Sequence, residues 1–256
     1  MGKGGVGDVE LKAVLMAAGP TYEKYGFPPN SKPKCLFHYK GEVLLERQVR
    51  ILREAGISDI AIVAGYKIYQ VQKFNKEKKL GLKVLYNPTA ASDKEGSLGW
   101  VKGIDTAKVG VKAMDDDVLL IFGDVLLTVE GLQKVVEDEY KCISVYSGHG
   151  YQLYKIPKSL IPLLGKYKGR AGGMMALHDF CMENGGIRMN IGTRTMKEEW
   201  LAKCKTKCVK IGPIRDVDYY YMTDEGKAKG VTAKSFRKWL NEQKAKGRRF
   251  SGWVLV

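Results

Sequence analysis

Histidine and cysteine are scarce in this chain. Its 256 residues hold three histidines and five cysteines, and each scarcity closes off a class of chemistry. His38, His149 and His178 are scattered, and no serine–histidine–aspartate or cysteine–histidine set assembles around them. Cys204 and Cys208 are four positions apart, but no histidine or further cysteine stands close enough to complete a zinc ligand set. An odd cysteine count without regular spacing fits a reducing, cytoplasmic compartment rather than a disulfide framework. Long apolar runs are missing as well, none approaching the ~20 residues that span a bilayer. Residues 1–10 are glycine-rich, lack the hydrophobic core of a signal peptide and read as a flexible leader. Within them, Gly2-Lys3-Gly4-Gly5-Val6-Gly7 imitates a phosphate loop. A working loop needs a strand before it and Lys-Ser or Lys-Thr opening a helix after it, and Asp8 follows instead.

Negative charge is the other deficit. Forty-three lysines and arginines against 28 acids leave a formal charge of +15. Such a field draws polyanions: nucleotides, nucleic acid or an anionic membrane surface. Charge alone does not choose among them. No internal repeat or low-complexity linker divides the chain, so residues 11–256 read as one domain.

What is present is an alternation. Apolar runs near residues 13–18, 59–64, 83–86 and 118–122 have strand length. Between them, residues 43–55 place Leu45, Val49 and Leu52 on one helical face, with Gly56 at the C-cap. Residues 69–79 and 98–107 read as further helices. Strand, helix, strand, helix is the pattern of an α/β three-layer sandwich, a mostly parallel mixed sheet covered on both faces. In such sheets ligands bind outside the carboxyl ends of the strands. Glycine or polar residues stand at each of those ends: Gly19, Gly65-Tyr66, Asn87-Pro88 and Gly123-Asp124.

The second half is less regular. Strands are expected at 142–145, 151–155 and 209–211, with a helix at 171–183. Thr195 and Glu198 form a capping box for a short helix through Lys203. From Ala233 on, Phe236, Trp239 and Leu240 share one face of a basic C-terminal helix.

The first run carries the most information. It ends in Ala17-Ala18-Gly19, whose small side chains let backbone N–H groups approach a phosphate or a base. Lys32 and Lys34 follow on a proline-stiffened segment. Asp124 follows a buried strand, with Gly123 giving the backbone room, and is placed either to hold Mg²⁺ on a phosphate or to cap the helix near Val129. Asp216 and Asp218 are two apart, so on an extended segment both point to one face, either to share a cation or as part of a solvated edge strand. Gly96-Ser97 opens a helix, where a hydroxyl meets a base or phosphate, or merely caps it.

Residues 11–36 resemble the opening of the sugar-phosphate and alcohol-phosphate nucleotidyltransferases of Rossmann-like GT-A type. The shared pattern is an apolar strand, then Ala17-Ala18-Gly19, then Pro33-Lys34 before two apolar residues. The arginine of the family's G-x-R loop is absent, since Pro20-Thr21-Tyr22-Glu23-Lys24 stands there, with Lys24 or Lys32 as substitutes. The resemblance implies Mg²⁺ held by Asp124 and Asp218, with Asp216 supporting, and Lys34 on the acceptor phosphate. It implies a nucleotide pocket of Ala17, Ala18, Gly19, Lys24, Lys32, Gly96 and Ser97. Gly150, Tyr151 and the loop near Gly192 would line the acceptor side. Ser97-Leu98 leans towards CTP as donor. The partners would be a nucleoside triphosphate and a phosphorylated small molecule, a sugar phosphate or an alcohol phosphate such as phosphocholine. An inactive nucleotide-binding homologue and a basic nucleic-acid-binding protein are the alternatives, the first suggested by the missing arginine and the second by the charge.

Overall fold

The computed structural model describes residues 11–19, 32–88, 99–140, 142–147, 150–167, 173–191, 194–195, 208–212 and 251–255. Strand β1 (Lys12–Ala17) lies at the centre because its residues are apolar on both faces: Ala13, Val14 and Leu15 are wholly buried. It pairs in parallel with β4 (Ile60–Ala64) on one side and β6 (Val118–Phe122) on the other. Strand β5 (Lys83–Tyr86) continues the parallel ladder beyond β4. Beyond β6 come β9 (Gly150–Ile156), β8 (Ile143–Ser147) and β10 (Ile187–Met189), giving seven strands in the order β10-β8-β9-β6-β1-β4-β5. Only β9 runs against the rest.

Alternation along each strand sorts side chains onto two helical layers. Ala13 and Leu15 face α1 (Leu44–Glu54), α2 (Ile68–Glu77) and α4 (Val129–Glu137), whose Leu45, Val49, Leu52, Val71, Leu132 and Val135 complete one core. Val14 and Met16 face α3 (Gly99–Met114), α5 (Ile161–Lys166) and α6 (Gly173–Glu183), where Ile104, Ala107, Val111, Leu164 and Phe180 form the other. Each fully buried leucine or valine contributes about 1.5–3 kcal/mol. The predicted three-layer sandwich is therefore the observed one.

Helix α3 runs seven residues past its expected end at Ala107. Val109, Gly110 and Val111 are poor helix formers, but Gly110 lets the helix settle onto β1, since a Cβ there would collide with Val14. Packing outweighs propensity. The expected helix from Thr195 begins outside the described residues, and Thr195 itself pairs with Val125 in a short ladder between β11 (Arg194–Thr195) and β7 (Val125–Leu126). The basic helix from Ala233 also lies outside them. Of the tail, β13 (Ser251–Leu255) pairs antiparallel with β12 (Cys208–Gly212). No helix among the described residues is long and apolar enough to cross a membrane.

A hairpin of β2 (His38–Tyr39) and β3 (Glu42–Val43) leads into α1 through Lys40 and Gly41, both at positive φ. Glu42 fastens it: Arg50 Nε and Nη2 donate to its two oxygens at 3.0 and 3.1 Å, and Arg47 lies 3.5 Å away. The Arg50 hydrogen bond, then the charges of Arg50 and Arg47, hold the Glu42 carboxyl below its ordinary 4.5. A lowered folded value means stabilisation that is complete above 4.5 and lost as pH falls through the folded value. Glu42→Gln should therefore melt earlier than the parent near neutral pH, with the gap closing in acid. Melting curves at stepped pH check this, and a gap independent of pH would refute it.

Candidate functional site

The carboxyl ends of four parallel strands come together around small residues. Ala18 directly follows β1, nearly buried at 2% exposure, and its carbonyl accepts from Tyr66 N at 3.0 Å. Gly65 allows this approach, because a Cβ there would lie 2.8 Å from the carbonyl oxygens of both Ala18 and Asn87. Asn87 N donates to Ala64 O at 2.9 Å, and its buried amide donates to Thr106 Oγ1 at 3.0 Å, tying the end of β5 to α3. On the other flank, Gly123 N donates to Met16 O at 3.0 Å. A Cβ on Gly123 would sit 3.0 Å from Ala17 Cβ, so the turn after β6 lies against the end of β1. Gly19 is exposed, and a Cβ there would meet no described atom within 4 Å. Ala17-Ala18-Gly19 thus forms a low floor opening outward from the sheet edge.

Lys34 comes to the sheet edge beside the turn after β6. Pro33 introduces a single 3-10 turn, Lys34–Leu36, in which Leu36 N donates to Pro33 O at 2.9 Å. Cys35 and Leu36 sink into the core and anchor the turn, and Phe37 O accepts from Leu44 N at 2.9 Å, joining it to α1. The ammonium of Lys34 is left 3.7 Å from Asp124 Oδ2, with the two side chains 26% and 20% exposed. Ninety residues apart in sequence, these two predicted residues meet at the predicted edge. Asp124 does not cap a helix: Thr128 does, its Oγ1 accepting from Gly131 N at 3.1 Å. Lys32 is exposed just before the turn.

Burial pushes the Cys35 thiol up to about 12, with the Asp124 charge adding to the rise and Lys34 opposing it. It stays a thiol near neutral pH and offers no nucleophile. Beyond β6, Tyr151 is the second residue of β9, whose ladder with β6 pairs Ile121 with Leu153. Its ring stacks on His178 at 3.9 Å and leans on Tyr146 at 5.2 Å, over which the Arg188 guanidinium lies at 3.9 Å. Burial raises the Tyr151 hydroxyl and lowers the His178 imidazole, so both are neutral at ordinary pH. Gly150 starts the same strand. Lys24, Gly96, Ser97, Gly192, Asp216 and Asp218 lie outside the described residues.

No cluster of three or more metal-ligating side chains occurs among the described residues. Mg²⁺ does not require one. It keeps several waters and takes one or two carboxylates plus substrate phosphates, and Asp124 presents one carboxylate at the sheet edge with a cation beside it. The donor chemistry fits a phosphate-bound Mg²⁺.

Sequence reading missed Gln48. It interrupts the apolar stripe of α1 between Leu45, Val49 and Leu52, yet is 1% exposed. A buried amide on an apolar face was the available signal.

The family profile of the MobA-like NTP transferase domain matches residues 13–184. A choline-phosphate cytidylyltransferase of Streptococcus pneumoniae is 35% identical over 77 residues, covering 30% of this chain and 32% of that protein. The match thus spans about a third of that relative's length. Among solved structures, the inositol-1-phosphate CTP transferase from T. maritima superposes with a TM-score of 0.55 at 12% identity, covering 73% of this chain and 88% of the other. A nucleotidyl transferase from Methanothermobacter covers 91% of this chain and all of its own, with a TM-score of 0.51 at 16% identity. These two likenesses establish the fold.

Proposed function

This chain belongs to the family of MobA-like NTP transferase domains, and from that premise we propose that it transfers a nucleotidyl group to a phosphorylated small molecule. A phosphate oxygen of the acceptor attacks the α-phosphorus of a nucleoside triphosphate in line. The bond from α-phosphorus to the bridging oxygen breaks, and pyrophosphate leaves. No protein nucleophile takes part, in keeping with the protonated Cys35, so positioning and charge neutralisation carry the catalysis.

The observation that carries this reading is the Lys34–Asp124 pair at the carboxyl edge of the sheet, 3.7 Å apart. Asp124, with Asp218 and Asp216 from the second acidic segment, would hold Mg²⁺, which supplies charge stabilisation at the α-phosphate. Lys34 would leave Asp124 for the acceptor phosphate once the metal takes its place. Ala17, Ala18 and Gly19 would floor the nucleotide site, with Lys24, Lys32, Gly96 and Ser97 around it. Gly150 and Tyr151 would border the acceptor. CTP is the donor we favour, supported by Ser97-Leu98 and by the cytidylyltransferase in S. pneumoniae. The acceptor is a sugar phosphate or an alcohol phosphate.

Thermal melting with Mg²⁺ and each of CTP, UTP, GTP, ATP and dTTP tests the donor without knowledge of the acceptor. A nucleotide at a hundred times its Kd adds about 2.7 kcal/mol, several degrees for a chain this size. CTP should give the largest Mg²⁺-dependent rise. A larger rise with another nucleotide reassigns the base. Five flat curves would move the reading to a homologue that has lost nucleotide binding with the G-x-R arginine, or to the basic nucleic-acid-binding protein, with RNA binding tested next.

A further inference from the structure

We propose that Gln48 is the positioning residue for Asp124, setting the carboxylate where Mg²⁺ must meet it. The inference rests on Asp124 being the metal ligand. Gln48 sits mid-helix in α1 and is 1% exposed, among leucines and valines. Its Nε2 donates to Phe122 O at 2.9 Å and to Val125 O at 3.1 Å. Those carbonyls bracket Gly123-Asp124 on either side. The amide orientation follows from chemistry, because two carbonyl acceptors can be satisfied only by the –NH2 end. Its Oε1 finds no hydrogen-bond partner among the described residues. A polar side chain buried with half its capacity unused is costly to keep, which marks what the other half does.

What it does is close the turn. The end of β6 is held on one side by Gly123 N on Met16 O, which fixes its distance from the nucleotide floor. Gln48 holds the carbonyls before and after the acidic residue, which fixes the direction in which Asp124 leaves the chain. Lys34 reaches the site through a turn joined to the same helix, by Leu44 N on Phe37 O. Helix α1 therefore sets both charged members of the pair, the carboxylate through Gln48 and the ammonium through the Lys34–Leu36 turn. A carboxylate half an ångström out of place binds the nucleotide-bound cation less tightly and presents it wrongly to the α-phosphate.

The test uses Gln48→Met, close in shape but without a donor, and Gln48→Asn, which keeps the amide one methylene short. Val49→Ala, on the same helix in the core facing the sheet, serves as a purely structural comparison. Mn²⁺ as a probe is titrated into each protein with CTP, and free Mn²⁺ is followed by electron paramagnetic resonance, with melting temperature measured alongside. Outer partners of metal ligands typically govern about tenfold to a hundredfold in affinity or activity. Gln48→Met should weaken Mn²⁺ binding by about tenfold or more, and Gln48→Asn by less, while CTP binding without metal is unchanged. Val49→Ala should lower the melting temperature and leave the Mn²⁺ curve in place. Should Gln48→Met fail to fold, the Gln48→Asn curve decides alone. Unchanged Mn²⁺ affinity in a folded Gln48 variant, or an equal loss in Val49→Ala, overturns the proposal. If wild type shows no CTP-dependent Mn²⁺ binding, or Asp124→Asn binds as well as wild type, the functional reading itself has failed.

Discussion

Asp124→Asn should cost at least about a hundredfold in kcat while leaving the fold nearly as stable as before. The two side chains have the same shape, so the turn after β6, held by Gly123 on Met16 and by Gln48, has no reason to move. The lost Lys34 contact is a 3.7 Å pair with both partners partly exposed, of the kind worth about 0–1 kcal/mol. The amide, however, is a neutral and much weaker ligand for Mg²⁺. The charge stabilisation it forfeits is several kcal/mol in the transition state, and each ~1.4 kcal/mol is a factor of ten in rate. Pyrophosphate release and melting temperature, measured on one preparation, check both halves. A large drop in melting temperature with modest loss of rate would mean that Asp124 is structural.

Lys34→Met should lose about 3–4 kcal/mol of transition-state stabilisation, a hundredfold to a thousandfold in rate. Its metal response should differ in sign from that of Asp124→Asn. With Asp124 as the proposed metal ligand, Lys34 would compete with the cation for the carboxylate, so removing it should leave Mn²⁺ or Mg²⁺ binding as tight as in the parent, or tighter. Lys34→Arg should rescue little, because a planar guanidinium on this anchored turn cannot put a point charge where the ammonium stood. Rate against metal concentration separates the cases. Weaker metal binding in Lys34→Met would show that the lysine supports the metal site rather than the acceptor.

Much of this arrangement was legible from residues alone, and for identifiable reasons. Strands buried on both faces leave continuous apolar runs, so β1, β4 and β6 were found within a residue of their ends, as was the half-exposed edge strand β5. Gly56 marked the end of α1 because the chain there takes φ +86°, which disfavours side chains. Lys34 and Asp124 were singled out by their places after Pro33 and after a buried strand. Their meeting was not derivable from spacing, since it depends on how β6 lies beside β1 and how the Lys34 turn docks on α1. Gln48 escaped for the same reason. Its bonds to Phe122 and Val125 cross more than seventy residues, and periodicity reports which face is buried, not what a buried amide touches. The length of α3 was misjudged because the value of Gly110 lies in its contact with Val14, which no local rule contains.

Calorimetric titration of CTP into wild type and Asp124→Asn, each with and without Mg²⁺, goes most directly to the central claim that the Lys34–Asp124 edge is a metal–nucleotide site. The account predicts that Mg²⁺ tightens CTP binding to wild type and has little or no effect on Asp124→Asn. Equal tightening in both proteins would contradict it.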